Sequence, residues 1–315
     1  MSATRTAAPW DPDRYRAHLA SVLARNDVDV DTVNLPASRQ VVVGRMRIHF
    51  LDWGQAGRPP ALFLHGGGLS AHTWDTVCVV LRRHLHCIAI DLRGHGESEW
   101  SPSLDYSLDS HGADVLGVLD ELGIERCPLV GMSLGGLVSL SLAEKQPDRV
   151  SRLVLVDVGP EPDRAGVDRI QTFMRSVVAF ESVDHAIEHA LAFNPRRDPT
   201  FLRWTLERNL MRLPDGRYAW KYDGRARDTG AYIESTLASA RDLVDRTGEV
   251  RCPTLLAYGE RSRVVSARAA ESFVARMPNA RAVGIRDAGH SVQGDNPKAL
   301  IQHLVEFLSP EWTAA

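Results

Sequence analysis

The middle of the chain carries an apolar run that ends in a glycine-rich turn, Pro128-Leu129-Val130-Gly131-Met132-Ser133-Leu134-Gly135-Gly136. Residues 131–135 follow the pattern G-x-S-x-G, which is informative only where a strand precedes it and a helix follows. Both neighbours are predicted here, because residues 128–132 are apolar and residues 134–145 have a helical pattern. A turn this tight leaves no room for side chains two residues on either side of the serine. The segment predicts a strained nucleophile elbow that exposes Ser133; the alternative is a strand–helix joint with an incidental serine.

A second glycine-rich segment, His65-Gly66-Gly67-Gly68, follows the apolar strand predicted at residues 61–65. Glycines let the backbone approach a substrate closely and present its N–H groups. We expect the N–H of Gly67, or that of Gly68, to form an oxyanion hole together with the N–H of Leu134. The alternative is a plain glycine turn.

A candidate general base follows the last predicted strand, in the segment Asp287-Ala288-Gly289-His290-Ser291. A serine needs such a base to be nucleophilic at neutral pH. Of the twelve histidines, His290 is the one in a loop after the final predicted strand. The histidines form no cluster with metal-ligand spacing. We therefore expect a site without a metal and without an organic cofactor.

Short apolar segments alternate with helical ones through most of the chain. Residues 41–44 and 46–53 predict an antiparallel hairpin, and further strands are predicted at 61–65, 86–91, 128–132, 152–157, 254–258 and 281–285. Such strands, separated by helices, are typical of an α/β fold whose mostly parallel sheet is covered on both faces.

The alternation is interrupted between residues 159 and 251, where the patterns are helical only, at 170–180, 183–193, 200–211 and 231–245. We interpret this insertion as a cap over the sheet edge. The expected organisation is an N-terminal extension with a helix (1–38), a core (39–159 and 246–315) and a helical cap (160–245).

Composition excludes several classes of protein. The 315 residues include 37 Lys and Arg against 40 Asp and Glu, a formal net charge of −3, so the basic footprint of a nucleic-acid-binding protein is missing. Four cysteines without C-x-x-C spacing are expected to be reduced core thiols. We find neither a signal peptide nor the roughly 18–20 apolar residues of a membrane span. The sequence predicts a cytoplasmic protein that binds neither nucleic acid nor membrane, and it leaves the oligomeric state open.

The order of a glycine-rich loop, a nucleophilic serine and a final histidine resembles the α/β-hydrolase superfamily. The turn Asp91-Leu92-Arg93-Gly94-His95-Gly96-Glu97-Ser98 is similar to that family's structural D-x-R-G-x-G-x-S motif. Residues 212–220 are similar to cap sequences of its capped, esterase-like branch. The resemblance covers about residues 40–310 and implies an α/β-hydrolase fold with a helical cap.

The chain departs from the family at the position of the acid that should support His290. Most members carry it in a G-x-x-D pattern after the penultimate strand, where this chain reads Gly259-Glu260-Arg261-Ser262. A haloalkane-dehalogenase-like branch instead carries its acid at the end of the strand after the nucleophile, where this chain has Asp157. We predict Asp157 as the acid, with Glu260 second and Asp287 third. The alternative for Asp157 is a turn or helix cap before Gly159.

These features predict a serine hydrolase that cleaves a carboxylic ester or lactone of a small, mostly apolar molecule through an acyl-enzyme. Gly68, Trp74 and Met132 are predicted to line the substrate pocket, together with some of the cap's aromatic residues. Two alternatives stay open. One is a carbon–carbon bond hydrolase acting on a vinylogous diketone, and the other is a small-molecule receptor built on the same fold.

Overall fold

A computed structural model of the chain describes residues 11–54, 57–159, 163–225, 239–240, 242–243 and 245–308. The strands are β1 (Ala37–Val43), β2 (Met46–Asp52), β3 (Pro60–Leu64), β4 (His86–Ile90), β5 (Cys127–Met132), β6 (Val150–Val156), β7 (Leu210–Arg212), β8 (Tyr218–Trp220), β9 (Thr254–Gly259) and β10 (Ala280–Ile285). Eight of them form one sheet in the order β1-β2-β4-β3-β5-β6-β9-β10. β2 pairs antiparallel with β1 and β4, and the remaining strands of this sheet, β4, β3, β5, β6, β9 and β10, are parallel. The predicted mostly parallel sheet with an edge hairpin is confirmed.

Helices cover both faces of this sheet, and others belong to the cap. In chain order the described helices are α1 (Pro12–Arg25), α2 (Asp75–Leu81), α3 (Leu108–Glu121), α4 (Leu134–Lys145), α5 (Arg164–Arg175), α6 (Val183–Phe193), α7 (Pro199–Asn209), α8 (Ala267–Val274), α9 (Val292–Asp295) and α10 (Pro297–Leu308). Side chains alternate between the faces along each strand. In β3, Leu62 and Leu64 join the apolar cluster with α3, α4 and α8, whereas Ala61 and Phe63 join the cluster with α1, α2 and α10.

The N-terminal helix is integrated into the fold. Asp11 caps α1 by accepting from the N–H groups of Asp13 and Arg14. The apolar face predicted from the sequence is buried, and Tyr15 and Leu19 belong to the same apolar cluster as α2 and α10. The amphipathic helix predicted in the extension is therefore observed, and it packs on the core.

The prediction of a purely helical cap is wrong, because the cap also contains a β-hairpin. α7 ends at Asn209, and β7 and β8 pair antiparallel with Leu210 opposite Trp220. A tight turn joins them, in which Gly216 has a φ of +91° that favours glycine. The turn signal Pro214-Asp215-Gly216 was present in the sequence, but three-residue strands carry too little periodicity to stand out beside the helices.

The first cap helix also differs from the prediction, since α5 begins at Arg164, capped by Asp163, and ends at Arg175 rather than at residue 180. Phe180 instead bridges to Tyr218 beside the hairpin. The helix predicted at 231–245 lies mostly outside the described residues. The cap has an apolar core of its own, made of Phe180, Ala186, Ile187, Ala190, Leu202, Leu206, Leu210, Trp220 and Tyr222.

Within the part of the chain that the structure describes, no helix has the length and apolarity needed to cross a membrane.

Candidate active site

Ser133 occupies the turn between β5 and α4 with a φ of 49° and a ψ of −115°. This conformation is costly for a residue with a side chain, and it persists only where the surroundings impose it. They do so here, because a Cβ on Gly131 would collide with the carbonyl oxygen of Gly135, and a Cβ on Gly135 would collide with that of Leu64. Both glycines are therefore required by close packing, and the turn lifts Ser133 into the cavity above the strand ends.

His290 lies in the loop between β10 and α9, and its ring is hydrogen-bonded to Asp157. The Nδ1 of His290 is 2.7 Å from the Oδ2 of Asp157. A carboxylate only accepts, so this contact assigns the proton of the neutral imidazole to Nδ1 and leaves Nε2 as the acceptor. The loop is held by Asp295, whose Oδ2 accepts from the N–H of Gly289 at 2.8 Å. His290 and Ser133 line the same cavity.

Asp157 comes directly after β6 and is completely buried, with a φ of 47°. Both of its oxygens accept further hydrogen bonds, Oδ1 from the N–H of Gly259 at 2.9 Å and Oδ2 from the Oγ of Ser262 at 2.6 Å. Donors on both oxygens stabilise a buried carboxylate. Ser262, at the position where the family resemblance places an acid, thus donates a hydrogen bond to Asp157 from the neighbouring strand.

The other two carboxylates considered for this role lie elsewhere. The side chain of Glu260 is exposed and lies against β10, where a Cβ on Gly284 would be 3.2 Å from its Oε1. Asp287 is exposed at the rim of the cavity and pairs with Arg261. Of the three, the structure brings Asp157 into contact with His290.

The segment 65–68, where we expect the oxyanion hole and which we call the oxyanion loop, is positioned by His65, which is fully buried. Its Nδ1 donates to the carbonyl of Gly66 at 2.7 Å, and its Nε2 accepts from the N–H of Leu92 at 3.0 Å. Burial lowers the pKa of His65, which keeps the ring neutral in these two roles. Because C=O and N–H point in opposite directions in a trans peptide, the bond to Gly66 turns the N–H of Gly67 away from His65.

The N–H of Gly135 donates to the carbonyl of His65 at 3.0 Å and so ties this loop to the elbow. Neither the N–H of Gly67 nor that of Leu134 has a protein partner among the described residues. Both residues line the cavity, so two unengaged donors lie beside Ser133.

The cavity has a volume of about 990 Å³. Gly68 and Met132 line it as expected, and the cap contributes Ile170, Phe173, Met174, Phe193, Phe201, Leu202, Leu206, Trp220 and Tyr222. The prediction that Trp74 lines the pocket is wrong. Its side chain is completely buried and packs on Phe63, with ring centroids 5.6 Å apart. Residues of α1 also line the cavity, among them His18 and Val22, which sequence patterns did not connect with the site.

Among the described residues, no group of three or more His, Cys, Asp or Glu could hold a metal ion. The chemistry that the arrangement can support is that of a serine activated by a histidine, beside two backbone donors.

Comparison with known proteins agrees with this geometry. The model of the α/β-hydrolase fold family matches residues 59–297. An esterase of Mycobacterium tuberculosis, Rv0045c, is 36% identical over 276 residues, 85% of this chain and 88% of its own. A crystal structure of that esterase superposes with a TM-score of 0.74 at 33% identity, covering 95% of this chain and 98% of the esterase.

Two further relatives carry other hydrolase names. 2-(Acetamidomethylene)succinate hydrolase of Mesorhizobium japonicum is 27% identical, covering 86% of this chain and 95% of the relative. 2-Hydroxy-6-oxo-2,4-heptadienoate hydrolase of Pseudomonas putida is 28% identical, covering 89% of this chain and 99% of the relative. With the family model spanning most of the chain and an esterase more than 30% identical, the chain belongs to the α/β-hydrolase family and is an esterase-like hydrolase.

Proposed function

We propose that the protein cleaves carboxylic esters or lactones of small, mostly apolar molecules through an acyl-enzyme formed on Ser133. The observation that carries this proposal is the 2.7 Å hydrogen bond between His290 and buried Asp157, in the cavity that exposes the elbow serine. It supplies what a serine nucleophile needs, a base held in one tautomer by a carboxylate.

In the first half of the reaction, Ser133 Oγ attacks the carbonyl carbon and His290 Nε2 takes its proton. The negative charge on the carbonyl oxygen is bound by the N–H groups of Gly67 and Leu134. The bond from carbon to the alcohol oxygen breaks, and the alcohol leaves with the proton from His290. In the second half, water attacks the acyl-enzyme, His290 accepts its proton and returns it to Ser133, and the carboxylic acid leaves.

The proposed substrate class follows from the cavity. A volume of about 990 Å³, walled on the cap side mainly by aliphatic and aromatic side chains, suits a small apolar acyl or alcohol group. The esterase relative supports ester cleavage without indicating which ester.

Cleavage of a carbon–carbon bond is the second candidate. The observation that favours it is the relative named 2-hydroxy-6-oxo-2,4-heptadienoate hydrolase, which is 28% identical over nearly its full length. Hydrolysis of short para-nitrophenyl acyl esters without cleavage of vinylogous diketones would favour the esterase.

A fluorophosphonate probe and one substitution test the proposal. The probe should label the wild-type protein at Ser133, and Ser133→Ala should abolish both labelling and ester turnover, with a loss of about 10⁴-fold or more. Ser110→Ala, at a serine of α3 outside the cavity, is the matched control and should retain both. Labelling without multiple turnovers would favour a receptor, and turnover above a few per cent in Ser133→Ala would remove the serine from the nucleophile role.

A further inference from the structure

The wall of the cavity beside the oxyanion loop carries buried polar groups that the proposed reaction does not use. His95 is 7% exposed and Asn209 is 6% exposed, and both line the cavity. They stand out because they are buried, whereas the cap arginines that also line the cavity, Arg169, Arg175, Arg196 and Arg197, are not. A polar atom that faces a cavity without a protein partner is costly to cover with an apolar group, so it favours a ligand group that satisfies it.

His95 presents a hydrogen-bond acceptor. Its Nδ1 lies 3.0 Å from the carbonyl oxygen of Arg93. A carbonyl oxygen only accepts, so Nδ1 carries the proton and Nε2 has the lone pair. Burial lowers the pKa of His95 to about 3, so the ring is neutral at physiological pH. Its Nε2 has no hydrogen-bond partner among the described residues.

Asn209 presents the complementary donor. Its Oδ1 accepts from the Oγ of Ser70 at 2.7 Å, which leaves the two N–H groups of Nδ2. No described residue accepts a hydrogen bond from Nδ2. Asn209 is the last residue of α7, and the bond to Ser70 fixes its amide against the segment that follows the oxyanion loop.

A single stretch of backbone, residues 221–223, is hydrogen-bonded to the segments that carry these two residues. The N–H of Lys221 donates to the carbonyl of Asn209 at 2.8 Å, and the N–H of Asp223 donates to the carbonyl of Gly94 at 2.8 Å. Asn209 and His95 therefore flank Tyr222, whose ring centroid is 6.3 Å from that of His95. A Cβ on Gly68 would be 3.7 Å from Cε1 of Tyr222, so this wall adjoins the oxyanion loop.

We propose that His95 Nε2 and Asn209 Nδ2 form a polar subsite that binds an uncharged hydroxyl or amide group of the substrate. A hydroxyl can donate to Nε2 and accept from Nδ2 at the same time, and a primary amide can do the same. A carboxylate would set its charge against the lone pair of His95, and an ammonium would meet the N–H groups of Asn209. This inference rests on the proposed function and narrows its substrate class to apolar esters that carry one such group.

Matched pairs of esters in which a hydroxyl replaces a methyl group test the subsite. On the acyl side the pairs are para-nitrophenyl 3-hydroxybutyrate against 3-methylbutyrate, and 6-hydroxyhexanoate against heptanoate. On the alcohol side the pair is 2-hydroxyethyl butyrate against propyl butyrate. In at least one pair we expect the wild-type kcat/KM to be higher for the hydroxy ester by about tenfold, because the methyl ester leaves both buried groups unsatisfied.

Two variants separate binding from folding. His95→Phe and Asn209→Leu should each bring that preference to about one, while the methyl esters are still hydrolysed. His303→Gln, on α10 away from the cavity, should leave it unchanged. Absence of a preference in every wild-type pair, or a preference that survives both variants, would overturn the subsite while leaving the esterase intact. Failure of the wild type to hydrolyse any of these esters would overturn the proposed function and the subsite with it.

Discussion

At the scale of single residues, one carboxylate oxygen connects His290 with the two sequence positions considered for its acid partner. The Oδ2 of Asp157 receives both the His290 ring and the Ser262 hydroxyl. The carboxylate comes from the end of β6, whereas the position usual in the family holds an uncharged serine that donates to it. The carboxylate therefore lies after β6, and the residue after β9 donates a hydrogen bond to it.

Replacing the acid should distinguish Asp157 from Glu260. We expect Asp157→Asn to lower kcat by about 10⁴-fold, because an amide at this position no longer stabilises the imidazolium or its tautomer. Glu260→Gln should remain near wild type, since that carboxylate is exposed. Steady-state kinetics on one para-nitrophenyl ester measure both. A larger loss in Glu260→Gln than in Asp157→Asn would contradict the assignment.

Ser262 should act as a positioning residue for Asp157. Hydrogen bonds to charged groups are worth more than neutral ones, so Ser262→Ala should lower kcat by about tenfold with little change in KM. Ser262→Thr keeps the hydroxyl and should recover most of the activity. If both variants behaved alike, the hydroxyl would have no part in holding the acid.

Residues whose positions depend on local pattern could be placed from the sequence. Ser133 and His290 line the cavity as predicted, because a strand, a turn and a helix in fixed order leave one exposed position each. Asp157 could be placed near His290 because the carboxyl ends of parallel strands meet at one edge of a sheet. The position of Trp74 was not predictable, since hydrophobicity indicates burial but not whether a side chain faces the cavity or the core. The partnership of Ser262 with Asp157 depends on the contact between two loops 105 residues apart, which no local pattern encodes.

At the scale of elements, α1 braces the cap against the core. Its inner face packs on α2, and Arg14 and Arg25 form ion pairs with Glu207 and Asp198 at either end of α7, both at 2.6 Å. Between these pairs, His18 stacks on Trp204 with ring centroids 4.3 Å apart. The ion pairs are half exposed and contribute little to stability. The aromatic packing therefore provides most of the stabilisation between α1 and α7.

Tyr15 at the centre of this contact should be important for stability. It is completely buried, and its ring centroid is 4.8 Å from that of Trp204. Tyr15→Ala should lower the free energy of unfolding by about 3–5 kcal/mol, because it leaves a large cavity. Urea denaturation measures the loss. Arg16→Ala, in an exposed ion pair on the outer face, should change stability by less than about 0.5 kcal/mol. A loss below about 1 kcal/mol in Tyr15→Ala would mean that α1 does not pack on the fold in solution.

Elements with strong periodicity were predictable, and short ones were not. α1 has four buried positions at helical spacing, and α4 lies between an elbow and a proline. The hairpin of β7 and β8 is stabilised instead by contacts with Phe180 and the cap core, which lie far from it in the sequence. The sequence of these two strands alone therefore did not predict the hairpin.

At the scale of the whole molecule, the fold buries several histidines in neutral form. Burial lowers the pKa of His65, lowers that of His95 to about 3 and lowers that of His111 well below its usual range. In the unfolded chain the same side chains take up protons below about pH 6.5. The unfolded state then binds more protons than the folded one, so the free energy of unfolding falls as the pH drops below about 6.5. Above that pH these groups contribute no further change.

His111 should show this effect most directly, because neither of its ring nitrogens has a hydrogen-bond partner among the described residues. A fully buried histidine that stays neutral costs about 2 kcal/mol of stability between pH 7 and pH 5. His111→Leu has similar volume and removes two unsatisfied nitrogens, so stability at pH 7 should hold or rise and the loss toward pH 5 should shrink by that amount. Urea titrations at pH 7, 6 and 5 measure the slope, with His303→Gln on the surface of α10 as the control. An unchanged slope in His111→Leu would mean that His111 is protonated in the folded protein at pH 5, and that its environment accommodates the charge.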